Sequence, residues 1–312
     1  MSQQPSTTVA AATPTGEERE KQKKKKKSAA HFDSNPAKAG WLTKLVLALV
    51  CFLWLVPLVG TLVTSFRTVQ AADSTGWWTF LGSLDQLTLD NYRQALQGSS
   101  DMGQGFINSI AITLPATFIP LLVAAFAAYA FTFMQFPGRD FLFLAIVSLL
   151  VVPNYVAFVP MLQIYKNLDM NGTFPAVWLA HIGFGMSLAI YILRNYMATL
   201  PGTIIESAKI DGASHFQTFW RLVLPMSVPA IAAFAIFQFL WVWNDLLVAL
   251  VFIGPGDNAP ITQKLSELKG QFGQGWNLTT AGAFLTMLVP VAVFLALQRF
   301  FVRGLTAGAV KG

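Results

Sequence analysis

The sequence predicts an all-α integral membrane protein with six transmembrane helices. Three observations carry that prediction. Apolar residues make up 54% of the 312-residue chain and mean hydropathy is +0.53, while 12% of residues are charged; a soluble domain carries roughly 25%. Six apolar runs, at about 41–66, 106–134, 141–162, 174–196, 229–253 and 281–302, approach or exceed the roughly 20 residues that span a bilayer. Finally, six spans put both ends of the chain on one side, and most of the cations fall on that side. These include Lys23 to Lys27, Lys38, Lys44, Arg139, Arg194, Lys209, Arg221, Arg299 and Arg303. The other side holds Arg67, Arg93, Lys166, Lys264 and Lys269. The positive-inside rule then places both termini, and the polar segment between spans four and five, in the cytoplasm.

Residues 1–40 are polar, lack apolar periodicity and read as a disordered basic tail. Much of the net charge of +6 lies there, in the run Lys23 to Lys27. With no aromatic platform beside it, this run reads as an orientation signal drawn to anionic lipid, and no nucleic-acid partner is expected. The first span is too long for a signal peptide and lacks a small-residue cleavage site, so it reads as an uncleaved anchor. Cys51, inside it, is the one cysteine, which excludes a disulfide within the chain. Pro153, Asn154 and Pro160 interrupt the third span. Two long outer segments are expected, from Arg67 to Gln104 with Trp77, Trp78 and Phe80 at the membrane interface, and from Gly254 to Asn277.

Glu206 to Pro225, ESAKIDGASHFQTFWRLVLP, is a mostly polar stretch between apolar runs. Pro201 suits an early helical position, because its missing N–H is unneeded there. Gly212 can adopt the left-handed conformation that ends a helix, and Ser214 with Gln217 forms a capping box that starts another. Phe216, Phe219, Trp220 and Val223 then repeat at helical spacing as one apolar face, and Pro225 closes the helix. A helix pair of this kind outside the bilayer suits docking into a groove on another protein.

The spacing Glu206-Ser207-Ala208, three residues including Asp211, Gly212, nine residues, then Leu222-Val223-Leu224-Pro225 resembles the EAA signature of ABC importer permeases. Ser207 replaces an Ala of that signature and Leu222 an Ile. The C-terminal sequence from Phe301 to Gly312, and the Trp243-Asn244-Asp245 region of the fifth span, resemble the G-like permease subunit of maltose-type carbohydrate importers. The resemblance covers about residues 41–312. It implies the type I permease fold: a six-span domain over 41–302, coupling helices at about 200–225, and a cytoplasmic tail at 303–312. It also implies partners: a second homologous permease, two cytoplasmic P-loop ATPase subunits and an extracytoplasmic sugar-binding protein. By the same resemblance, the pair carrying Glu206, Ser207, Ala208, Asp211, Gly212, Phe216, Phe219, Trp220, Leu224 and Pro225 contacts the ATPase. The tail, with Leu305, Thr306, Gly308 and Gly312, reaches into the ATPase dimer, and the second outer loop contacts the binding protein. Read directly, that tail is too glycine-rich to form a stable helix.

The chain has no Gly-x-x-x-x-Gly-Lys-Ser/Thr loop, no His-Glu-x-x-His and no Gly-x-Ser-x-Gly. Catalytic residues, a metal and cofactors of its own are therefore not expected, and ATP with Mg would be bound by a partner. Polar groups within spans are the candidates for a substrate path. Asn154 and Tyr155 in the third span, His181 in the fourth, and Asn244 and Asp245 in the fifth reach similar heights and would line one polar wall. Asp245, roughly 23 Å along its span, reads equally as an interfacial residue, and His181 reads also as a satisfied interhelical hydrogen bond. Gly183 and Gly185 would loosen the fourth span. The expected function is a sugar permease for a di- or oligosaccharide in a bacterial or archaeal plasma membrane. A permease for another solute, or a stand-alone carrier, stays open beside it.

Overall fold

The computed structural model describes residues 40–98, 101–268 and 275–307 of the chain. Its regular structure is helical, with one isolated antiparallel bridge, Arg67 to Leu87, among the described residues. The chain divides at Pro57 into two units. In the first, the described residues from Trp41 form a helix whose apolar side chains are largely exposed. The second begins at Leu58, within that helix, and holds the elements that follow it.

Helix α1 (Trp41–Ser65) is followed by the expected long outer segment, which is folded as a cap. The cap contains α2 (Val69–Ser74), two 3-10 turns (Trp77–Gly82 and Leu84–Gln86) and α3 (Asp90–Gln97). Its centre is Arg67, only 1% exposed. The guanidinium donates to Gln86 Oε1 at 2.8 Å and to the carbonyls of Ala71 at 2.8 Å and Thr75 at 3.1 Å. Burial lowers its pKa from the ordinary guanidinium value. Asn91 donates to the carbonyls of Ser65 and Arg67, both at 2.8 Å, and accepts from Asn277 at 2.7 Å. Trp78 is exposed, as an interfacial aromatic would be, whereas Trp77 packs over Gly60, where a Cβ would lie 2.8 Å from its indole nitrogen.

Helix α4 (Met102–Phe133) is the central element and contains Pro115 and Pro120. Asp101 caps it by accepting from Gln104 N at 3.3 Å. The expected third span is broken: α5 (Arg139–Ser148) and α6 (Phe158–Asn167), each with an adjoining 3-10 turn, meet at a 95° bend around Pro153. Proline disfavours helical conformation in the residue before it, and Val152 is extended there. Helix α7 (Phe174–Met197) packs along α4. Small buried residues line this contact: Ala116 of α4 clusters with Ala176 and Ala180 of α7, and Ala124 and Ala128 of α4 with Ala189 of α7, the pairs on each helix recurring every fourth residue. Small residues at that spacing let two backbones approach closely where lipid supplies no hydrophobic drive.

The polar segment follows as α8 (Gly202–Ile210), α9 (His215–Thr218), a π-helical turn (Phe219–Val223) and α10 (Leu224–Met226). The chain then bends by 72° into α11 (Val228–Asn244). The break falls at buried Ser227, two residues after Pro225, so Pro225 does not itself close the helix; it lies in the last turn of the helical run from His215 to Met226. The fifth span also stops early, at Asn244, and resumes as α12 (Leu247–Phe252). The second outer segment is partly folded as α13 (Ile261–Glu267), seated on α4. Asn108 there donates to the carbonyl of Ala259 at 3.0 Å, and Ser109 Oγ accepts from Ile261 N at 2.8 Å. Helix α14 (Trp276–Ala307) continues past the expected end at 302, through Gly304, because extending a formed helix is far easier than starting one.

Four helical stretches are long and apolar enough to cross a membrane: Trp41–Ser65, Met102–Phe133, Phe174–Met197 and Trp276–Gln298. The two bent pairs make six if each counts as one span.

Candidate functional site

The polar segment is built by local chemistry. Gly212 has φ +77°. Its N–H bonds to the carbonyl of Lys209 at 3.1 Å, and that of Ala213 to Ala208 at 2.9 Å, a Schellman end for α8. Asp211 is the last residue before that turn. Ser214 and Gln217 form the capping box: Ser214 Oγ accepts from Gln217 N at 3.3 Å, and Gln217 Oε1 from Ser214 N at 2.9 Å. Ser207 Oγ donates to the carbonyl of Thr203 at 2.8 Å.

The expected apolar face divides in two. Phe219 and Val223 are buried, whereas Phe216 is 65% and Trp220 40% exposed. Phe219 and Val223 meet the bundle, Trp220 lies at its margin with its ring edge-on to Phe126 of α4 at 5.8 Å, and Phe216 faces outward. Glu206, Ser207, Asp211 and Pro225 are exposed, Leu224 is half-buried and Ala208 buried. Exposed Phe216, Trp220 and Ile210 thus give the segment an uncovered apolar surface beside Glu206.

The buried side is anchored to α4. The Tyr129 hydroxyl lies 3.0 Å from His215 Nδ1, and Phe219 stacks on Phe126 with centroids 4.4 Å apart. Tyr196 of α7 donates to the carbonyl of Met226 at 3.3 Å. Any push on the segment therefore reaches α4 as well as its covalent neighbours. Tyr129→Phe removes the bond and keeps the ring. We expect it to loosen the segment from α4, read as faster amide hydrogen exchange over α9 and the π turn, while a thermal melt of the purified protein shows a loss of no more than about 1 kcal/mol of stability.

A cavity of about 510 Å³ lies among α7, α11 and the bend around Pro153, with the 3-10 turns on either side of it. Asn154, Gly183, Gly185, Ser187, Gln238 and Trp241 line it, and among the described residues no charged side chain does. Of the residues expected on a polar wall, Asn154 is in place. His181 is 1% exposed, behind the wall, its ring edge-on to Trp241 at 5.4 Å, and its Nδ1 has no partner. Tyr155, Asn244 and Asp245 do not line the cavity. Tyr155 is 67% exposed against Phe158, because the bend at Pro153 turns it away. Asn244 donates to the carbonyl of Leu240 at 2.7 Å, closing the last turn of α11.

Asp245 accepts from Val248 N at 2.7 Å and starts α12, while its own carbonyl accepts from Thr262 Oγ1 at 3.0 Å. Asp245→Ala is expected to cost about 1 kcal/mol in a thermal melt, and Asp245→Asn far less, because an amide also caps.

Gly185 does not loosen α7, which is unbroken. A Cβ there would lie 2.6 Å from Gln238 Oε1, so the glycine makes room for that amide. Gln238, fully buried, was missed in the sequence; its signal is one amide inside the apolar run Ala235-Ile236-Phe237-Gln238-Phe239. Leu305 and Thr306 lie on α14, while Gly308 and Gly312 fall outside the described residues, as does the basic tail before residue 40.

A broken-span helical bundle with an exposed helix–turn–helix at one end and a neutral cavity among its spans defines a membrane translocation subunit. Residues 121–307 match the family described as binding-protein-dependent transport system inner membrane component, and the chain belongs to that family. It is 52% identical to the osmoprotective compounds uptake permease protein GgtD of Synechocystis, over 84% of this chain and 89% of that one. It is also 52% identical to the alpha-glucoside transport system permease protein AglG of Rhizobium meliloti, over 73% of this chain and 61% of that one. The fold matches, at TM-score 0.66 and 18% identity, the crystal structure of a bacterial ABC transporter involved in the import of the acidic polysaccharide alginate; the match covers 83% of this chain and 95% of that chain.

Proposed function

We propose that this chain forms half of the translocation path of an ATP-driven importer for small uncharged sugars, α-glucosides among them. The neutral cavity carries this reading. An amino acid or a polyamine entering a low-dielectric site needs a fixed counter-charge, and none of the described residues lining this chain's side of the path carries one. Amides, a hydroxyl and an indole instead suit hydroxyl groups and the apolar faces of sugar rings, as in ligand sites generally. The name of AglG, an alpha-glucoside transport system permease protein, supports the same cargo class.

Turnover would come from partners: a second permease, two P-loop ATPase subunits binding ATP and Mg, and an extracytoplasmic binding protein. The exposed segment with Glu206, Phe216 and Trp220 would seat in the ATPase. Both termini would be cytoplasmic, and the end of α14 would lie beside the same partner. Closure of the ATPase dimer then rocks the bundle about a midplane site, which is alternating access.

Uptake by the whole complex in proteoliposomes tests the cargo. ATP-dependent accumulation of labelled trehalose, with none of labelled lysine or putrescine, is the expected result. Accumulation of the charged solutes instead would overturn it.

A further inference from the structure

Three helix-interior prolines are answered from a neighbouring helix. Proline cannot donate to the carbonyl four residues before it. Pro115 thus frees the carbonyl of Ala111, Pro120 that of Ala116, and Pro290 that of Thr286. Each receives a side-chain N–H: Trp178 Nε1 reaches Ala111 O at 3.0 Å, Gln238 Nε2 reaches Ala116 O at 3.2 Å, and Trp243 Nε1 reaches Thr286 O at 3.1 Å. The acceptors stand on α4 and α14, and the donors on α7 and α11. Prolines are tolerated in membrane helices where neighbours satisfy the freed groups; here the freed groups fasten four helices together.

Gln238 differs from the two tryptophans because it also lines the cavity. Its Nε2 faces two carbonyls, Ala116 O and His181 O, the latter at 3.5 Å, which fixes the amide's orientation. Its Oε1 has no partner and lies on the Gly185 side, against the cavity wall.

We propose that Gln238 is a positioning residue: its amide latches onto the Ala116 carbonyl freed by Pro120, pins α11 to α4 at the cavity wall, and leaves Oε1 for a cargo hydroxyl. The last clause rests on the cargo reading above; the latch does not.

A mutant cycle on the assembled complex separates the two. In the native background, Gln238→Leu strands the Ala116 carbonyl and should lower the sugar-free melting midpoint by about 2–4 °C. With Pro120→Ala, the N–H of the new alanine takes that carbonyl back into the helix, and alanine favours the helix itself. Gln238→Leu should then cost less than half as much. An equal loss in both backgrounds, or none in the native one, would overturn the latch. For trehalose uptake, Gln238→Leu should raise KM roughly ten-fold in both backgrounds, since Oε1 is lost in both, while Pro120→Ala alone should stay within about two-fold. Recovery of KM alongside the melt would overturn the role of Oε1. So would a wild-type complex that takes up no trehalose, in which case the melting comparison still decides the latch.

Discussion

Gly212→Val is expected to abolish uptake by the whole complex while the chain remains in the membrane at its normal level. The backbone at 212 has φ +77°, where a β-branched residue is strongly disfavoured. Left-handed geometry costs an L-residue about 1–2 kcal/mol, and valine lies at the upper end. Crowding is not the cause, because a Cβ there would meet nothing within 4 Å. The consequence is specific. Gly212 reverses the chain between α8, which carries Glu206, and α9, which carries Phe216, and its N–H is part of the Schellman end. Relieving the strain re-aims one helix against the other, and the exposed surface no longer matches a fixed groove. The bundle, held by α4 and α7, is untouched. Gly212→Asn is the control: asparagine tolerates the left-handed region, and this variant should keep most of the uptake. Equal uptake by all three proteins would show that the turn does not matter for transport.

Trp243→Ala is expected to cost the largest stability of any single change, about 3–5 kcal/mol for deleting a buried aromatic. Trp243 is 1% exposed, stacked on Phe239 with centroids 5.9 Å apart and edge-on to Phe106 at 5.5 Å. It also carries the donor to Thr286 O, whose helical partner Pro290 has removed. Deleting it empties the contact between α11 and α14 and orphans a carbonyl in an apolar setting. Trp243→Phe keeps most of the packing and loses the N–H, so it should cost about 1–3 kcal/mol. The readout is the melting midpoint of the purified complex, where wild type, Phe and Ala should fall in that order.

Local chemistry was legible in the sequence, and tertiary choices were not. The turn at Gly212 and the capping box at Ser214 follow from residues within a few positions of one another, as does the break at Pro153. The unbroken spans α4 and α7 follow from apolar length. The stop at Asn244 was hidden, because the apolar run continues through Leu246 to Phe252 and only the carboxylate of Asp245, capping Val248, interrupts it. Which face of the second docking helix packs inward was hidden as well. Helical spacing groups Phe216 with Phe219 and Trp220, and which of them is covered is decided by Phe126 and Tyr129 of α4, far away in the sequence. Among cavity residues, attention to polar clusters found Asn154 but passed over Gln238, a single amide in an apolar run. Its acceptor is a backbone carbonyl made available by a proline on another helix, a pairing that no one-dimensional spacing records.

The central claim is that this chain is a translocation subunit driven through its exposed segment by a separate ATPase. The most direct measurement is isolation of the wild-type and Gly212→Val chains from the native membrane in mild detergent, with identification of what accompanies each. The account predicts a second permease and a P-loop ATPase with the wild type, and loss of the ATPase, but not of the permease, with Gly212→Val. A wild-type chain that is isolated alone across gentle detergents, or a variant that retains its ATPase in full, would contradict it.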